Sequence, residues 1–399
     1  MQKYETGYNI TFDRKKKETK VKVLVTGASG FIGSRVVSKL LSLSSSSYHL
    51  CNKNNEILCL TRNKESVEGR YEKHKDVIKM IMADVNDYSQ LVKAMNGVKV
   101  AFYLIHSMEG SSKEWKKFAQ RDRMAAENFA KAATECRVDR IIYLGGLTYE
   151  ENREEYSKLL SDHMRSRKEV GDILRTSSAR FTIFRAAVIL GQGGGSFQML
   201  EYLVKRLPVM VCPKWVLTKS QPISVDDVVE YLVKSIDVKE TEGRDFYIGG
   251  TEVLTYIEMM KRYAIMLHKS IRIIIPFLTP RLSSYWVDLI TPVKASLARP
   301  LIDSLKHEAT AKDNTIKKLI PLRLKTFEEA IKAAEEEEHI KRKVTGRQRT
   351  SHSLNNKLLI VSLFAMAKPE VWFTTNLIYM TKDDKVQTVC LIQNGIYQK

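Results

Sequence analysis

Val21-Lys22-Val23-Leu24-Val25-Thr26-Gly27-Ala28-Ser29-Gly30-Phe31-Ile32-Gly33 is the stretch on which the reading of this chain turns. The apolar β-formers at 21–25 predict a strand buried on both faces, as in a parallel sheet. Gly27, Gly30 and Gly33 follow at a spacing of three, and from Phe31 to Leu41 the apolar residues recur at helical spacing. The glycines therefore stand, with Ser29, at a strand-to-helix turn. The first lets the chain turn sharply. The second leaves room for backbone N–H groups to approach a pyrophosphate, and the third lets the helix pack closely on the strand. The helix N-terminus points its free N–H groups and the positive end of its dipole at that phosphate. A glycine triplet alone predicts only a tight turn; framed by a strand and an amphipathic helix, it predicts a nucleotide site.

Downstream the pattern repeats. Strands are expected at 57–60, 79–82, 99–105, 140–144 and 181–185, and helices at 112–136 and 161–175. The apolar side of the long helix at 112–136 is read as Phe118, Met124, Ala125, Phe129 and Ala132. This alternation predicts an α/β fold with a doubly wound parallel sheet and ligands at the C-terminal ends of its strands. Beyond Gly191 helices are expected at 196–206, 226–235 and 255–267, short strands near 222–224 and 246–248, and a charged helix at 327–341. The expected organisation is a flexible basic arm at 1–20, a nucleotide-binding domain at 21–250, a smaller α-rich C-terminal subdomain at 251–343, and a tail of no clear period at 344–399. The apolar stretch Ile271 to Pro300 reads as packed subdomain or as a membrane-surface or lipid-like site.

The chain has 399 residues, 44% of them hydrophobic and 28% charged, which is ample for a globular core. A net charge of +19 points to nucleic acid, an anionic surface or a phosphorylated cofactor. The basic residues are scattered, as in Arg14-Lys15-Lys16-Lys17 and Lys341-Arg342-Lys343, and no aromatic-interleaved basic module accompanies them, so no specific nucleic-acid partner is expected. Five cysteines without paired ligand spacing predict a reducing compartment and no metal site, with Cys59 in the core. The first 20 residues lack the apolar core of a secretory signal, and no apolar run reaches membrane-spanning length, so a cytoplasmic location is expected.

With these segments in place the chain resembles the atypical short-chain dehydrogenase/reductases, in particular the NAD(P)H-binding, NmrA-like and epimerase-like members. The resemblance is carried by Thr26 to Gly33, Ala83-Asp84-Val85, Tyr103 to Met108, Tyr143 to Leu147, Arg165 to Gly171 and Arg185 to Gly191, and it covers about residues 20–335. It implies a Rossmann domain in which Gly27, Gly30, Phe31 and Ile32 line the pyrophosphate, with Ser29 and Gly33 in the same turn. It also implies that Asp84 and Val85 hold the adenine, and that Leu104 and His106 follow the fourth strand toward the cofactor. The loop from Arg185 through Ala187 and Val188 to Gly191 would close over the nicotinamide, and Gln192 to Ser196 would form a mobile entry. Asp226 and Asp227 read as caps of the following helix.

The end of the second strand selects the cofactor. An acidic side chain there would bind the ribose hydroxyls of NAD. This chain has Thr61-Arg62-Asn63-Lys64, and a guanidinium at that point can pair with a 2′-phosphate, with Arg35 assisting. NADPH is therefore expected over NADH.

Catalysis in the resembled family relies on a tyrosine, a lysine four residues later and a serine. Here His163 holds the tyrosine position, Arg167 the lysine position, and Gly145-Gly146 the serine position. Tyr71 and Lys75 have the spacing but stand between the second and third strands. His163 is read either as a proton donor or as structural, and Arg167 either as a ribose or nicotinamide contact or as structural. His106 is read as a ligand contact or as a hydrogen-bonded structural residue. The expected activity is an NADPH-dependent hydride transfer to a small apolar carbonyl, enone or quinone-like substrate. The alternative is a non-catalytic NAD(P)H-binding regulator or assembly factor. An oligomer and a peripheral membrane contact stay open.

Overall fold

The computed structural model describes residues 21–43, 56–62, 69–106, 115–147, 161–206, 209–211, 214–270, 272–274, 307–345, 374–380 and 386–392. The expected arm at 1–20 and nearly all of the apolar stretch 271–300 lie outside them. The chain forms two units, Met1–Glu338 and His339–Lys399.

The first unit is built on seven parallel strands: β1 (Lys22–Thr26), β2 (Glu56–Thr61), β3 (Ile78–Met82), β4 (Val98–Tyr103), β5 (Arg140–Gly146), β6 (Arg180–Ala186) and β7 (Arg244–Ile248). Their order across the sheet is β7-β6-β5-β4-β1-β2-β3, so the order reverses between β1 and β4. That reversal opens a crevice at the carboxyl ends of the two strands, where α/β sheets bind ligands.

The strands read as apolar runs because each face is covered. Along β1, Val23 and Val25 enter one core cluster and Leu24 the other. Phe102 and Tyr103 of β4 divide in the same way, as do Ile142 and Tyr143 of β5. The period of two sends successive side chains to opposite faces. Helix α1 (Gly33–Leu43) covers the first face through Val36, Val37 and Leu40. On the second face lies α2 (Tyr88–Met95), which contributes Leu91, Ala94 and Met95. Helix α2 is absent from the sequence expectation; it is short, and Asp87 caps it by accepting from the Gln90 N–H. Helix α3 (Trp115–Glu135) adds Ala125, Ala126 and Phe129, while Met124, expected on its apolar side, is exposed. Helix α4 (Asp162–Leu174) completes this layer, capped by Ser161 accepting from the Met164 N–H.

A third cluster forms the smaller α-rich part. Helix α5 (Gly195–Arg206) contributes Phe197, Leu200 and Leu203; α6 (Val225–Lys234) instead packs on the first sheet face. The third cluster also takes Met259, Met260 and Tyr263 from α7 (Tyr256–Met266). After a short helix α8 (Thr315–Leu319), helix α9 (Phe327–Thr345) adds Phe327, Ala330 and Ile331. Helix α6 corrects one expectation. Ser224, rather than either aspartate, caps it by accepting from the Asp226 N–H. Asp226 and Asp227 lie in its first turn, where the helix dipole favours them, and Asp227 Oδ2 accepts from the Lys325 N–H at 2.9 Å.

The second unit carries an antiparallel hairpin, Thr374–Met380 with Val386–Ile392, inside the segment expected to lack a period. No helix among the described residues is long and apolar enough to cross a membrane.

Candidate nucleotide and substrate site

Gly27 ends β1 with φ +65°, the left-handed region that glycine enters without penalty. A Cβ there would lie 2.8 Å from the Leu104 carbonyl oxygen beyond β4, so the two strand ends close on each other only over a glycine. Thr26, directly below, ties the same gap. Its Oγ1 donates to the Phe102 carbonyl at 2.9 Å and accepts from the Leu104 N–H at 3.0 Å. A Cβ on Gly33 would lie 2.1 Å from the Gly27 carbonyl oxygen, which fixes the close approach of α1 to the turn. Gly30 differs: a Cβ there meets only the Gly27 oxygen, at 3.1 Å. Gly30 and Ser29 are exposed, so the crest of the turn is open and a side chain at 30 would enter that space. This cradle fits a dinucleotide pyrophosphate at the N-terminus of α1.

The neighbouring residues divide between ligand-facing and structural duties. The Phe31 ring lies against Gly194 and under the Arg35 guanidinium, 4.7 Å from it. Arg35 donates to the Phe31 carbonyl at 2.8 Å and to the Gln192 carbonyl at 2.8 Å, and it pairs with Glu337 at 2.5 Å. Its charge is thus spent on joining α1, the segment after β6 and α9. The same packing reaches into the segment 192–196. A Cβ on Gly194 would lie 2.8 Å from the Phe31 ring, so this glycine-rich segment is a close-packed connection leading into α5. Arg62 sits just past β2, exposed, and neither it nor Thr61 brings a carboxylate to that strand end. Ile32 packs against the first core cluster beside the turn.

Asp84 follows β3. Its Oδ1 accepts from the backbone and side-chain nitrogens of Asn86, both at 2.9 Å, and its N–H donates to Gln90. Val85 is buried in the second core cluster. The turn is pinned to α3 by Asn128, which donates to the Asn86 carbonyl at 2.9 Å. Arg185 is enclosed. Its side chain is fully buried within β6, where Nε bonds Asp245 at 2.8 Å, so only its backbone is left to meet a ligand. Tyr71 is likewise buried and donates to the Ser34 carbonyl at 3.1 Å, and Lys75 pairs with Glu72, so that pair supports α1 and its surroundings rather than a reaction centre.

A cavity of about 110 Å³ opens at the ends of β5 and β6. Gly146, Ala187 and Val188 line its sheet side, His163 and Met164 its α4 side, and Trp215 and Tyr256 its far wall. The segment at 307–309 closes one side, held where the Ala309 N–H donates to the Lys219 carbonyl at 3.0 Å. His163 stands over His106, ring centroids 4.7 Å apart, and His106 Nδ1 lies 3.5 Å from Asp122 Oδ2. Ser166 donates to the same Asp122 oxygen at 3.4 Å. Burial is the main force on both imidazoles. It pushes His106 down to about 4, with the Arg167 charge adding to the shift and Asp122 opposing it. Burial, His106 and Arg167 together hold His163 well below the ordinary imidazole value. Both rings are therefore neutral at pH 7. Arg167 donates to the Leu144 carbonyl and lies over the Tyr143 ring at 5.1 Å, which ties it to the end of β5.

Sequence reasoning brought together the glycine turn, His106, His163, Ala187 and Val188. It missed Asp122, Trp215, Ser220 and Tyr256. Asp122 did leave a signal: it is a carboxylate four residues after Phe118 and seven before Phe129, on the buried stripe of its helix. One carboxylate group among the described residues has the spacing of a metal site, Glu201, Glu335 and Glu338. The Lys205 ammonium occupies its centre, 2.7 Å from Glu201, 2.8 Å from Glu335 and 3.2 Å from Glu338, so an ion network accounts for it.

Comparison with known proteins agrees with this geometry. Auxiliary protein GraX of Staphylococcus aureus is 30% identical over 135 residues, which are 33% of this chain and 38% of that protein. This chain thus spans under two-fifths of the length of that curated relative. UDP-glucuronic acid 4-epimerase from Bacillus cereus, solved with NAD, shares the fold at TM-score 0.60 and 16% identity over 83% of this chain and all of that one. The NADPH-dependent quinone oxidoreductase QOR2 of Escherichia coli, solved with NADPH, superposes at TM-score 0.59 and 18% identity over 80% of this chain and 99% of that one. The NAD(P)H-binding family matches residues 27–237, more than half of the chain and the whole span from the glycine turn to the end of α6. The chain belongs to the NAD(P)H-binding family, and its Rossmann-like fold is shared with the epimerase and the quinone oxidoreductase.

Proposed function

We propose that this protein is an NADPH-dependent oxidoreductase that reduces a small apolar carbonyl, enone or quinone-like substrate. The observation that carries the reading is the placement of a largely apolar cavity, walled by His163, at the carboxyl ends of β5 and β6, in the same sheet whose β1–β4 crevice ends in the glycine cradle. Gly27, Gly30 and Gly33 would seat the diphosphate at the N-terminus of α1, and the backbone at Ala187 and Val188 would meet the nicotinamide end. Bound there, the reduced nicotinamide supplies a hydride. His163, neutral and facing the cavity, acts as a hydrogen-bond donor that polarises the substrate carbonyl, and the proton that completes reduction comes through it or from water. Arg167 donates to the Leu144 carbonyl and holds the end of β5 in place. Preference for NADPH is supported by Arg62 at the end of β2, where a guanidinium can pair with the 2′-phosphate.

A second reading, a dinucleotide-binding regulator without turnover, is favoured by one specific feature. The positions that carry tyrosine and lysine in reductases of this kind hold His163 and Arg167, and Arg167 is engaged by the scaffold. The staphylococcal relative is itself named an auxiliary protein. Titration with NADPH and NADH, followed by a carbonyl and quinone panel scored by NADPH oxidation, separates the two. Oxidation abolished by His163→Ala supports the enzyme. Tight NADPH binding with no oxidation of any panel member supports the regulator, and failure to bind either nucleotide defeats both.

A further inference from the structure

The glycine turn leaves two backbone donors open. Among the described residues no backbone carbonyl accepts from the Phe31 or the Ile32 N–H, as expected for the first N–H groups at the start of a helix. The Ile32 N–H shares one planar peptide unit with the Phe31 carbonyl, so whatever holds that oxygen also sets the direction of that hydrogen. Arg35 holds it: Nη1 donates to the Phe31 carbonyl at 2.8 Å. The donor is a cation, which polarises the amide and strengthens its N–H in turn.

Arg35 is itself fixed from outside the turn. Nη2 donates to the Gln192 carbonyl at 2.8 Å and pairs with Glu337 of α9 at 2.5 Å. The guanidinium lies 4.7 Å from the centre of the Phe31 ring. That ring also meets Gly191 and Gly194, where added Cβ atoms would lie 3.4 Å and 2.8 Å from it. Phe31 is thus gripped by its carbonyl and by its ring, through groups brought in from the segment after β6 and from α9. None of these partners belongs to β2 or to its end, where Arg62 stands. A guanidinium with its donors turned to Phe31, Gln192 and Glu337 serves the part of a dinucleotide that NADPH and NADH share.

We infer that Arg35 is a positioning residue for the dinucleotide: by holding the Phe31 carbonyl it aims the Ile32 N–H at the diphosphate, and α9 takes part through Glu337. The inference rests on the NAD(P)H binding of the family and needs no turnover.

The test is calorimetric titration of NADPH and NADH into the full chain and its Arg35→Lys and Arg35→Met variants. Lysine keeps the charge facing Glu337, but an ammonium does not reproduce the planar fork that serves two carbonyls and lies over a ring. Arg35→Lys is expected to weaken NADPH and NADH alike, about three- to tenfold. Arg35→Met, which also removes the charge, should weaken both at least as much; should it fail to fold, Arg35→Lys decides alone. A charge acting only at long range would leave Arg35→Lys binding as the parent does, and a contact to the 2′-phosphate would weaken NADPH and spare NADH. Either result overturns the inference. Hydrogen exchange of the unaltered chain gives a check that needs no variant. Coupling between sites is reciprocal, so bound NADPH should slow exchange in residues 330–338 of α9 about threefold more than in 256–266 of α7, which lies in the same core cluster. Equal slowing of the two helices overturns the inference as well. Absence of turnover, measured separately, bears on the proposed function and leaves these results standing.

Discussion

The glycine turn at the tip of β1 and the cavity beside α4 stand at the carboxyl ends of strands in one sheet, and they are made of different materials. The turn is backbone. Its shape comes from Gly27 at φ +65°, from the contact of Gly33 with the Gly27 carbonyl, and from the Thr26 hydroxyl that ties β1 to β4. All but the last partner lie within seven residues of one another, and the crest is open to solvent. The cavity is side chain. Its walls come from α4, from Trp215, from α7 and from residues 307–309, which are far apart in the chain. An open backbone cradle recognises what all dinucleotides share. An enclosed wall of particular side chains selects one substrate and sets the protonation of the groups that face it. The contrast teaches how each site is specified: the cradle by a local motif, and the cavity by tertiary packing.

The largest effect should separate shape from space within the turn. Gly33→Ala puts a Cβ 2.1 Å from a backbone oxygen and is expected to cost about 3 kcal/mol in urea unfolding, with loss of nucleotide binding. Gly30→Ala meets one oxygen at 3.1 Å and should fold within about 1 kcal/mol of the parent, yet bind NADPH at least tenfold more weakly, because it fills the open crest. An unchanged NADPH affinity in Gly30→Ala would break the assignment of the cradle.

Next in size is a change on the cavity side. His163→Gln is expected to lower turnover about a hundredfold while leaving NADPH affinity unchanged. Because burial holds this imidazole neutral, the pH–rate profile should show no limb near the ordinary histidine value of about 6.5. A limb there that disappears in His163→Gln would mean that the imidazolium is the acid. Arg62→Ala comes third, with NADPH weakened about tenfold and NADH little changed; equal losses would reject the 2′-phosphate pairing.

The smallest effect extends the rule that enclosure, rather than residue type, sets protonation. Burial pushes the Asp227 carboxyl up to about 6, against the partial relief of the Lys325 N–H. Its folded value lies above its unfolded one, so the ionised form is a penalty on stability above about pH 6. That penalty fades as pH falls through 6 toward the unfolded value of about 4. Asp227→Asn keeps an oxygen for the Lys325 N–H and should gain about 1 kcal/mol at pH 7.5 and nothing near pH 4, as read by denaturant melts at the two values.

Much of the first unit was legible before any coordinates. The strands at 57–60, 140–144 and 181–185 lie within β2, β5 and β6, because a strand covered on both sides must be apolar throughout. Helix α2 was missed because eight residues give too few turns for a period to register. Met124 was placed on the wrong side of α3 because apolar character alone does not orient a residue on a helix rich in alanine. Arg185 opens the loop that the resemblance sets over the nicotinamide, and only the fold brings Asp245 beside its side chain and buries it. The glycines at 193–195 read as flexible; in the fold Gly194 leaves room for the Phe31 ring, and Gly193 takes φ +90°.

What the sequence determined by itself was the sheet, its alternating helices and the phosphate cradle, since each is written in contacts between near neighbours and in periods of two and 3.6 residues. What only the tertiary structure decided was the meeting of His163, Trp215, Ser220 and the segment at 307–309 around one cavity, and the burial that lowers the His106 and His163 imidazoles. Those residues share no spacing. Their proximity follows from the packing of α4 on the sheet and of α5 and α7 on each other, and the protonation of His106 and His163 follows from the water that burial excludes.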